Sequence, residues 1–387
     1  MKVKGAVIRG VGEDWEIREV DLDPPKRGEI LVKLHVAGVC HSDDHYRSGD
    51  MVPTEEMIAA MEALGAGVAD TFPLLGGHEG AGEVVAVGPE VHALQVGDHV
   101  ASSFVPACGH CRFCVTGQAG LCDVGANLFS PLMISDGTQR RWLDGQPLAA
   151  MCQLGTFAEY CVASETSWIK VDDDLPWDAI SMVSCGVSTG FGAATERAGT
   201  QPGDVVVVIG VGGVGMNAVQ GARIAGARAI VAVDPTAYKR QKAPEFGATH
   251  VAESLDDAIV LVREMTRGLM ADRVVVTPGV LHTHIAGAGL ALTRKGGTCV
   301  LVAVTPLAED TVPMSLTEFV SYGKELKGSI FGNLNPRYDM ARLLSLYRTG
   351  QLKLDELGTR TYKLDDVNSA FEDMAEGSTL RGLIAFD

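Results

Sequence analysis

The run Val205-Val206-Val207-Val208-Ile209, followed at once by Gly210-Val211-Gly212-Gly213-Val214-Gly215, restricts this chain more than any other stretch. Five apolar residues without alternation predict a strand buried on both faces, and the glycines after it open a helix through Ala218, Val219 and Ala222. Strand, glycine-rich turn and helix in that order form a dinucleotide-binding unit. Gly210 allows the tight turn, Gly212 lets the backbone approach a pyrophosphate, and Gly215 permits close packing of helix on strand, with Gly213 and Val214 completing the loop. The helix N-terminus supplies amide donors and a favourable dipole to the phosphates. Asp234 ends the next strand, where a carboxylate can bind an adenosine ribose and would repel a 2′-phosphate, so NAD is expected rather than NADP. Lys239 and Arg240 are placed either to touch the adenosine half or to be solvated helix surface. Further apolar strands at Arg273-Val274-Val275-Val276 and Thr298-Cys299-Val300-Leu301-Val302 extend a doubly wound parallel sheet, an α/β architecture.

A chain of 387 residues exceeds what one hydrophobic core usually supports, so two domains are expected. The stretch before about residue 185 is different in texture: Glu29 to Val36 and Ala81 to Gly88 alternate and are broken by glycine, as in an irregular antiparallel barrel. After residue 331 come a helix with Leu343, Leu344 and Leu346, the segment Thr359-Arg360-Thr361-Tyr362, a second helix and a strand at Gly382 to Phe386, none of which need join the parallel sheet. The expected division is therefore a barrel domain of residues 1–185 and 331–387 around a dinucleotide-binding domain of 186–330. A net charge of -17 opposes binding to nucleic acid or an anionic membrane surface. Neither a membrane-spanning apolar run nor the hydrophobic region of a signal peptide is found, which reads as cytoplasmic.

Six of the nine cysteines fall into two candidate metal sites. Cys108, Cys111, Cys114 and Cys122 follow C-x2-C-x2-C-x7-C, a spacing that can bring four thiolates around a structural zinc with no open position. An iron–sulfur cluster is the competing reading, since the first three share a ferredoxin-like spacing, but no proline follows Cys122 and no second cluster motif is present. The other site begins at Cys40-His41-Ser42-Asp43-Asp44-His45. With His78 in Gly77-His78-Glu79-Gly80 and Cys185 in Ser184-Cys185-Gly186, Cys40 would complete a thiolate, imidazole, thiolate set that leaves a fourth zinc position open. Singly, His78 could be a satisfied core histidine and Cys185 an inert thiol.

With these motifs in this order, the chain resembles the zinc-dependent alcohol dehydrogenases of the medium-chain dehydrogenase/reductase superfamily, over essentially its whole length. The resemblance implies a GroES-like barrel beside a Rossmann domain, two zinc ions and NAD, and an alcohol whose pKa is lowered at zinc before hydride passes to the nicotinamide. Ser42 would accept the alcohol proton and pass it through the nicotinamide ribose hydroxyl towards His45, taken as a surface-facing imidazole; Asp43 would orient His78 through its free ring nitrogen, and Glu79 matches a carboxylate close behind the metal. Thr189 aligns with a nicotinamide contact and Arg381 with a pyrophosphate arginine. His41 stands where that family often has arginine, replacing a permanent charge with a titratable one. Backbone at Val302, Val304, Ser329 and Phe331 would hold the carboxamide, and Phe104 would line the substrate pocket or pack in the core. A homodimer or homotetramer is implied. More narrowly, Cys40 to His45, Val233-Asp234-Pro235 and Leu352 to Leu357 are similar to the actinobacterial enzymes assayed with N,N-dimethyl-4-nitrosoaniline, held to retain NAD and to use a separate, mycofactocin-associated acceptor. A thiol-adduct formaldehyde dehydrogenase, acting for example on a mycothiol adduct, uses the same zinc and relay. A non-catalytic NAD-binding sensor is the reading from another class.

The chain departs from that pattern between His45 and His78, where the spacing is about twice the usual one. Met57, Ile58, Met61 and Leu64 recur at helical spacing, with Thr54 as N-cap and Gly65 as stop. This predicts an inserted amphipathic helix, either a lid over the substrate cleft or a surface ornament.

Overall fold

The computed structural model describes residues 1–63, 71–127 and 132–387. The parallel sheet forms as its strands require: His250–Ala252, Ala229–Val233, Val205–Ile209, Ala271–Val276, Thr293–Leu301 and Glu325–Gly328 lie side by side in that order. Every residue of Val205–Ile209 and Ala229–Val233 is buried, because helices cover both faces. The order of the strands reverses at Val205–Ile209, which pairs with Ala229–Val233 on one side and Ala271–Val276 on the other. The crevice at the carboxyl end of such a switch point is where open α/β sheets bind ligands, and residues 210–215 sit there.

The remaining strands form the barrel. Glu29–Gly38 is its spine, pairing along one edge with Glu79–Val87 and along the other with Tyr160–Ser164 and then Arg381–Ala385. The returning tail thus enters the barrel: Gly358–Lys363 runs parallel to Arg381–Ala385. A second sheet of short strands is built on the antiparallel pair Lys2–Ile8 and Glu16–Leu22. Two of the three candidate metal ligands come from this spine and its neighbour. Cys40 follows Glu29–Gly38, while His78 directly precedes Glu79–Val87, whose Glu79 is registered against Gly38.

One apolar core runs through the junction. Val36, Ala81 and Ala101 of the barrel share it with Val206, Val208 and Val275 of the parallel sheet and with Val187 and Phe191 of the helix Gly186–Gly192. Met340, Leu343 and Leu344 of the helix Pro336–Arg348 are buried in that same core, where this helix packs against Gly186–Gly192 and the barrel strand Trp168–Lys170. Among the described residues no helix is long and apolar enough to cross a membrane.

A fully buried ion pair fastens the barrel's outer wall. Arg140 grips Glu29 with two parallel bonds, Nε to Oε2 and Nη2 to Oε1, both 2.8 Å, and also donates to Asp136 Oδ2 at 2.7 Å. Both Glu29 and Arg140 are completely buried, and Glu29 gains a further bond from the Lys26 amide. Removing one member would strand the other's charge away from water. Arg140→Met is therefore expected to lower unfolding stability by about 3–5 kcal/mol, read as a shifted urea midpoint. The same measurement on Arg348→Ala, which breaks a solvent-facing pair with Asp172 and Asp174, should move the midpoint little.

Candidate metal and cofactor site

Two helix starts and one strand start bring the ligands together. Cys40 is the N-cap of the helix His41–Ser48, Cys185 is the N-cap of Gly186–Gly192, and His78 directly precedes Glu79–Val87. All are buried, and one ligand atom from each of Cys40, His78, Glu79 and Cys185 lies within 4.8 Å of every other. Asp43 reaches His78 from the first turn of its helix: Oδ2 stands 3.0 Å from Nδ1, while Oδ1 accepts the Gly77 amide at 2.7 Å. Asp43 therefore fixes both the ring and the backbone that carries it. Ser102 braces the next carbonyl, donating to His78 O at 2.8 Å and accepting the Gly80 amide at 2.7 Å.

The donor set fits a soft divalent ion. His78 Nε2 is buried without a hydrogen-bond partner, an expensive condition for a polar atom unless something else binds it. The thiols behave as a coupled pair: hydrogen bonding from Cys185 holds Cys40 well below the usual thiol range, and the same contact together with burial pushes Cys185 well above it. Burial opposes charge on His78, yet Asp43 and Cys40 outweigh it and raise the imidazole well above its ordinary value. Without an ion this cluster keeps protons where a cation would otherwise sit.

Glu79 is tied to the tail of the chain. It is fully buried and forms an ion pair with Arg381, while its Oε1 lies 3.8 Å from His78 Nε2. A methyl group added at Gly213 would meet Arg381 Cδ at 3.1 Å, so the same arginine also lies against the glycine-rich loop. The loop has the shape that its glycines predict. Gly215 carries no side chain because a Cβ there would lie 1.9 Å from Gly210 O, whereas a Cβ at Gly212 would meet only Lys239 Nζ at 4.0 Å, in space open to a ligand.

Asp234 is anchored beside this loop, accepting the Val211 amide with Oδ2 at 3.0 Å and the Thr236 amide with Oδ1 at 2.9 Å. Two of a carboxylate's roughly four lone-pair positions remain for a ribose diol. Arg240 is engaged elsewhere, on the carbonyls of Asp234 and Pro235 and on Glu253, which leaves Lys239 as the cation over the loop. His41 faces the same crevice from the barrel side, since a Cβ at Gly279 would come within 2.7 Å of its Nε2. Thr189 Oγ1 and Ser329 Oγ are buried with no hydrogen-bond partner. Val302 donates to Val276 O and Val304 accepts from the Leu281 amide, so the two valines continue the sheet's ladder into the crevice. Phe331, with φ of 52°, sets its ring 5.4 Å from that of Phe104, which in turn meets His78 edge-on at 5.7 Å.

One expectation needs correction. His45 does not face the surface: its side chain is 3% exposed and its Nδ1 lies 2.9 Å from Asp50 Oδ2. The helix His41–Ser48 stops at Gly49, with φ of 89°, and the reversing chain lays Asp50 over the ring. Asp50 went unnoticed in the sequence, although a glycine stop followed by an acid five residues beyond His45 is the available signal. Asp44, which had no role in the sequence reading, accepts a bond from Arg47 Nε at 2.8 Å.

The four-cysteine lobe closes on itself. The sulfurs of Cys108, Cys111, Cys114 and Cys122 lie within 4.8 Å of one another, with Cys108 to Cys114 and Cys111 to Cys122 both 3.9 Å. A tetrahedron with metal–sulfur bonds of about 2.3 Å has edges of about 3.8 Å, so the lobe suits one zinc-sized ion and leaves no room for a multi-iron cluster. Amides of Cys108, Cys111 and Cys114 each point at a neighbouring sulfur at 3.4 Å. Bonds from the Asp123 and Cys114 amides bring Cys111 down to about 6, whereas burial pushes Cys114 up to about 12. In the inserted segment, a helix does form at Glu55–Ala63, with Thr54 Oγ1 accepting the Met57 amide at 3.3 Å. Met57 and Ile58 are half-buried; Leu64 and Gly65 lie outside the described residues.

Comparison with known proteins agrees with this geometry. Residues 26–173 match the family model described as alcohol dehydrogenase GroES-like domain, and residues 213–349 match zinc-binding dehydrogenase. The chain is 44% identical to an NDMA-dependent alcohol dehydrogenase of Amycolatopsis methanolica, over 99% of each protein. It is 32% identical to an S-(hydroxymethyl)glutathione dehydrogenase of Paracoccus denitrificans, over the full length of both. The crystal structure of benzyl alcohol dehydrogenase from Acinetobacter calcoaceticus superposes with a TM-score of 0.88 at 29% identity, covering 100% of both chains. Barrel, parallel sheet, buried Cys-His-Cys cluster and full-length relatives together place this chain in the zinc-dependent, NAD-linked alcohol dehydrogenase family of the medium-chain dehydrogenases.

Proposed function

We propose that the chain oxidises alcohols to aldehydes or ketones, with Cys40, His78 and Cys185 holding a catalytic zinc and NAD lying along residues 210–215. The observation that carries this reading is the position of Arg381, paired with Glu79 at the ligand cluster and packed against Gly213 of the loop. It makes the metal ligands and the cofactor loop two sides of one crevice. When bound, zinc supplies a Lewis acid that lowers the alcohol's pKa, and NAD supplies the hydride acceptor.

The chain's own residues do the rest. Ser42, with Oγ 3.5 Å from Cys40 Sγ, takes the hydroxyl proton, and His45 carries it outward. Asp43 keeps the His78 proton on Nδ1, leaving Nε2 free. Glu79 and Arg381 neutralise one another behind the ligands. His41, Arg381 and Thr189 meet the pyrophosphate and nicotinamide, while backbone at Val302, Val304, Ser329 and Phe331 holds the carboxamide. Asp234 and Lys239 take the adenosine half. Beside His78 the wall is made by Phe104 and Phe331, and the nearby Arg381 is already paired. That apolar lining favours simple alcohols over a charged thiol adduct.

The NDMA-dependent relative supports retention of NAD through turnover and reoxidation by a separate acceptor, of the mycofactocin type. The open strand Glu325–Gly328, beside exposed Leu316 and Val320, supports a homodimer or homotetramer joined sheet to sheet. The helix Glu55–Ala63 is read as a lid that selects among alcohols.

Purified protein given a panel of alcohols should bleach N,N-dimethyl-4-nitrosoaniline without added NAD. Strict dependence on free NAD would overturn cofactor retention, and no oxidation of any alcohol in either arm would overturn the activity. Elemental analysis should find two zinc ions per chain; Cys111→Ser and Cys185→Ser should each lose one, and a single zinc in the wild type would favour the non-catalytic sensor. Deleting residues 52–70 should change KM or substrate range, whereas unchanged kinetics across several alcohols would remove the lid.

A further inference from the structure

A proton released in the crevice meets an obstacle that the geometry makes specific. His45, the outer member of the relay just described, is 3% exposed and cannot hand a proton directly to bulk water. Its Nδ1 is 2.9 Å from Asp50 Oδ2, and the Asp50 side chain is 23% exposed. Ser48 Oγ donates to the same carboxylate oxygen at 2.7 Å.

The surroundings hold this carboxylate in place without neutralising it. The Met51 amide returns to His45 O at 3.1 Å, closing the turn, and the Asp50 carbonyl accepts the Leu307 amide at 2.9 Å from the opposite domain. Among the described residues no lysine or arginine bonds to Asp50. The charged groups facing it are His45 on its own segment and His282 across the crevice, itself paired with Glu309 at 2.7 Å. Burial works against ionisation here, but the bonds from His45 and Ser48 hold Asp50 below the ordinary carboxylate range. An ionised Asp50 can only accept from the ring, so the His45 proton sits on Nδ1 and Nε2 keeps a free lone pair.

The geometry points to Asp50 as the positioning residue that sets the His45 tautomer and as the exit through which the relay's proton reaches solvent. This inference rests on the alcohol oxidation proposed above. Each alcohol oxidised releases one proton to the relay. It enters His45 at Nε2; the Nδ1 proton then moves to Asp50 Oδ2, and Asp50 releases it to water. One proton enters and one leaves; the ring is left protonated on Nε2, and between turnovers loss of that proton to water, balanced by one taken from water through Asp50 to Nδ1, restores the starting tautomer. In the direction of aldehyde reduction the same transfers run backwards.

Asp50→Asn removes the carboxylate that can take up a proton while preserving size, and it leaves the Leu307 contact intact because that bond uses the main chain. Turnover should fall by about 10²-fold or more. Zinc content, thermal midpoint and alcohol KM should stay near wild type, millimolar imidazole buffer should restore part of kcat, and Asp50→Glu should keep more activity than Asp50→Asn. Independently of turnover, protein labelled with ¹⁵N-histidine should show His45 protonated on Nδ1, with that preference lost in Asp50→Leu, which has no oxygen to accept the bond. Unchanged kcat across the pH range, or a loss of rate without buffer rescue and accompanied by loss of zinc or thermal stability, would overturn the inference. If the wild type oxidises no alcohol, the functional reading fails by itself; the ¹⁵N measurement still decides whether Asp50 sets the tautomer.

Discussion

The pairing of Glu79 with Arg381 is the contact on which the site depends. A carboxylate that is completely buried beside two thiols and an imidazole has no business being charged unless a cation of its own stands next to it. Arg381 comes from a strand 302 residues further along the chain, so the barrel cannot complete its metal cluster until the tail has returned. Once there, the guanidinium leans on Gly213 and thereby fixes the distance between ligand cluster and cofactor loop. One ion pair thus does two tasks: it offsets a buried charge, and it helps align two domains that also share an apolar core and the Leu307–Asp50 main-chain bond.

The two cysteine-rich sites solve the same charge problem by different means. In the lobe, the sulfurs are stabilised by short-range amides from the loop that carries them, and three of the four cysteines are partly exposed. A local loop suffices, which is why the spacing of Cys108 to Cys122 alone reveals the site. In the crevice the ligands come from residues 40, 78 and 185, and their partners are side chains: Asp43 for His78 and Arg381 for Glu79. Such an arrangement is costly to assemble but can keep a coordination position open, because nothing in it depends on wrapping the ion completely.

Sequence made the local features legible and left the long-range ones dark. The glycine-rich turn, the parallel strands and the four-cysteine spacing each follow from contiguous residues, and the structure places them as read, down to the open space over Gly212. The inserted helix was visible because Met57, Ile58, Met61 and Leu64 recur with helical spacing behind a threonine cap. What could not be read was which polar group meets which. The family resemblance implies a relay through Ser42 and His45, but whether His45 sees water depends on a left-handed glycine at 49 and on a loop of the other domain held at Leu307. Likewise Arg240 stands near enough in sequence to contact the adenosine half, yet its two terminal nitrogens are turned to Asp234, Pro235 and Glu253. Hydrogen-bond partners of long side chains are set by tertiary packing, and no periodicity encodes them.

The charges around the cluster are arranged for a cation. Against its burial, Asp43 and Cys40 draw His78 towards its protonated form, and the contact between Cys40 and Cys185 lowers one thiol while raising the other. Thiolate and imidazole ligands must shed protons to hold a divalent ion, so the ion would take over the part those protons play. Asp43 already faces His78 and Arg381 already pairs with Glu79, whereas Asp50 stands apart from them at the partly exposed end of the relay.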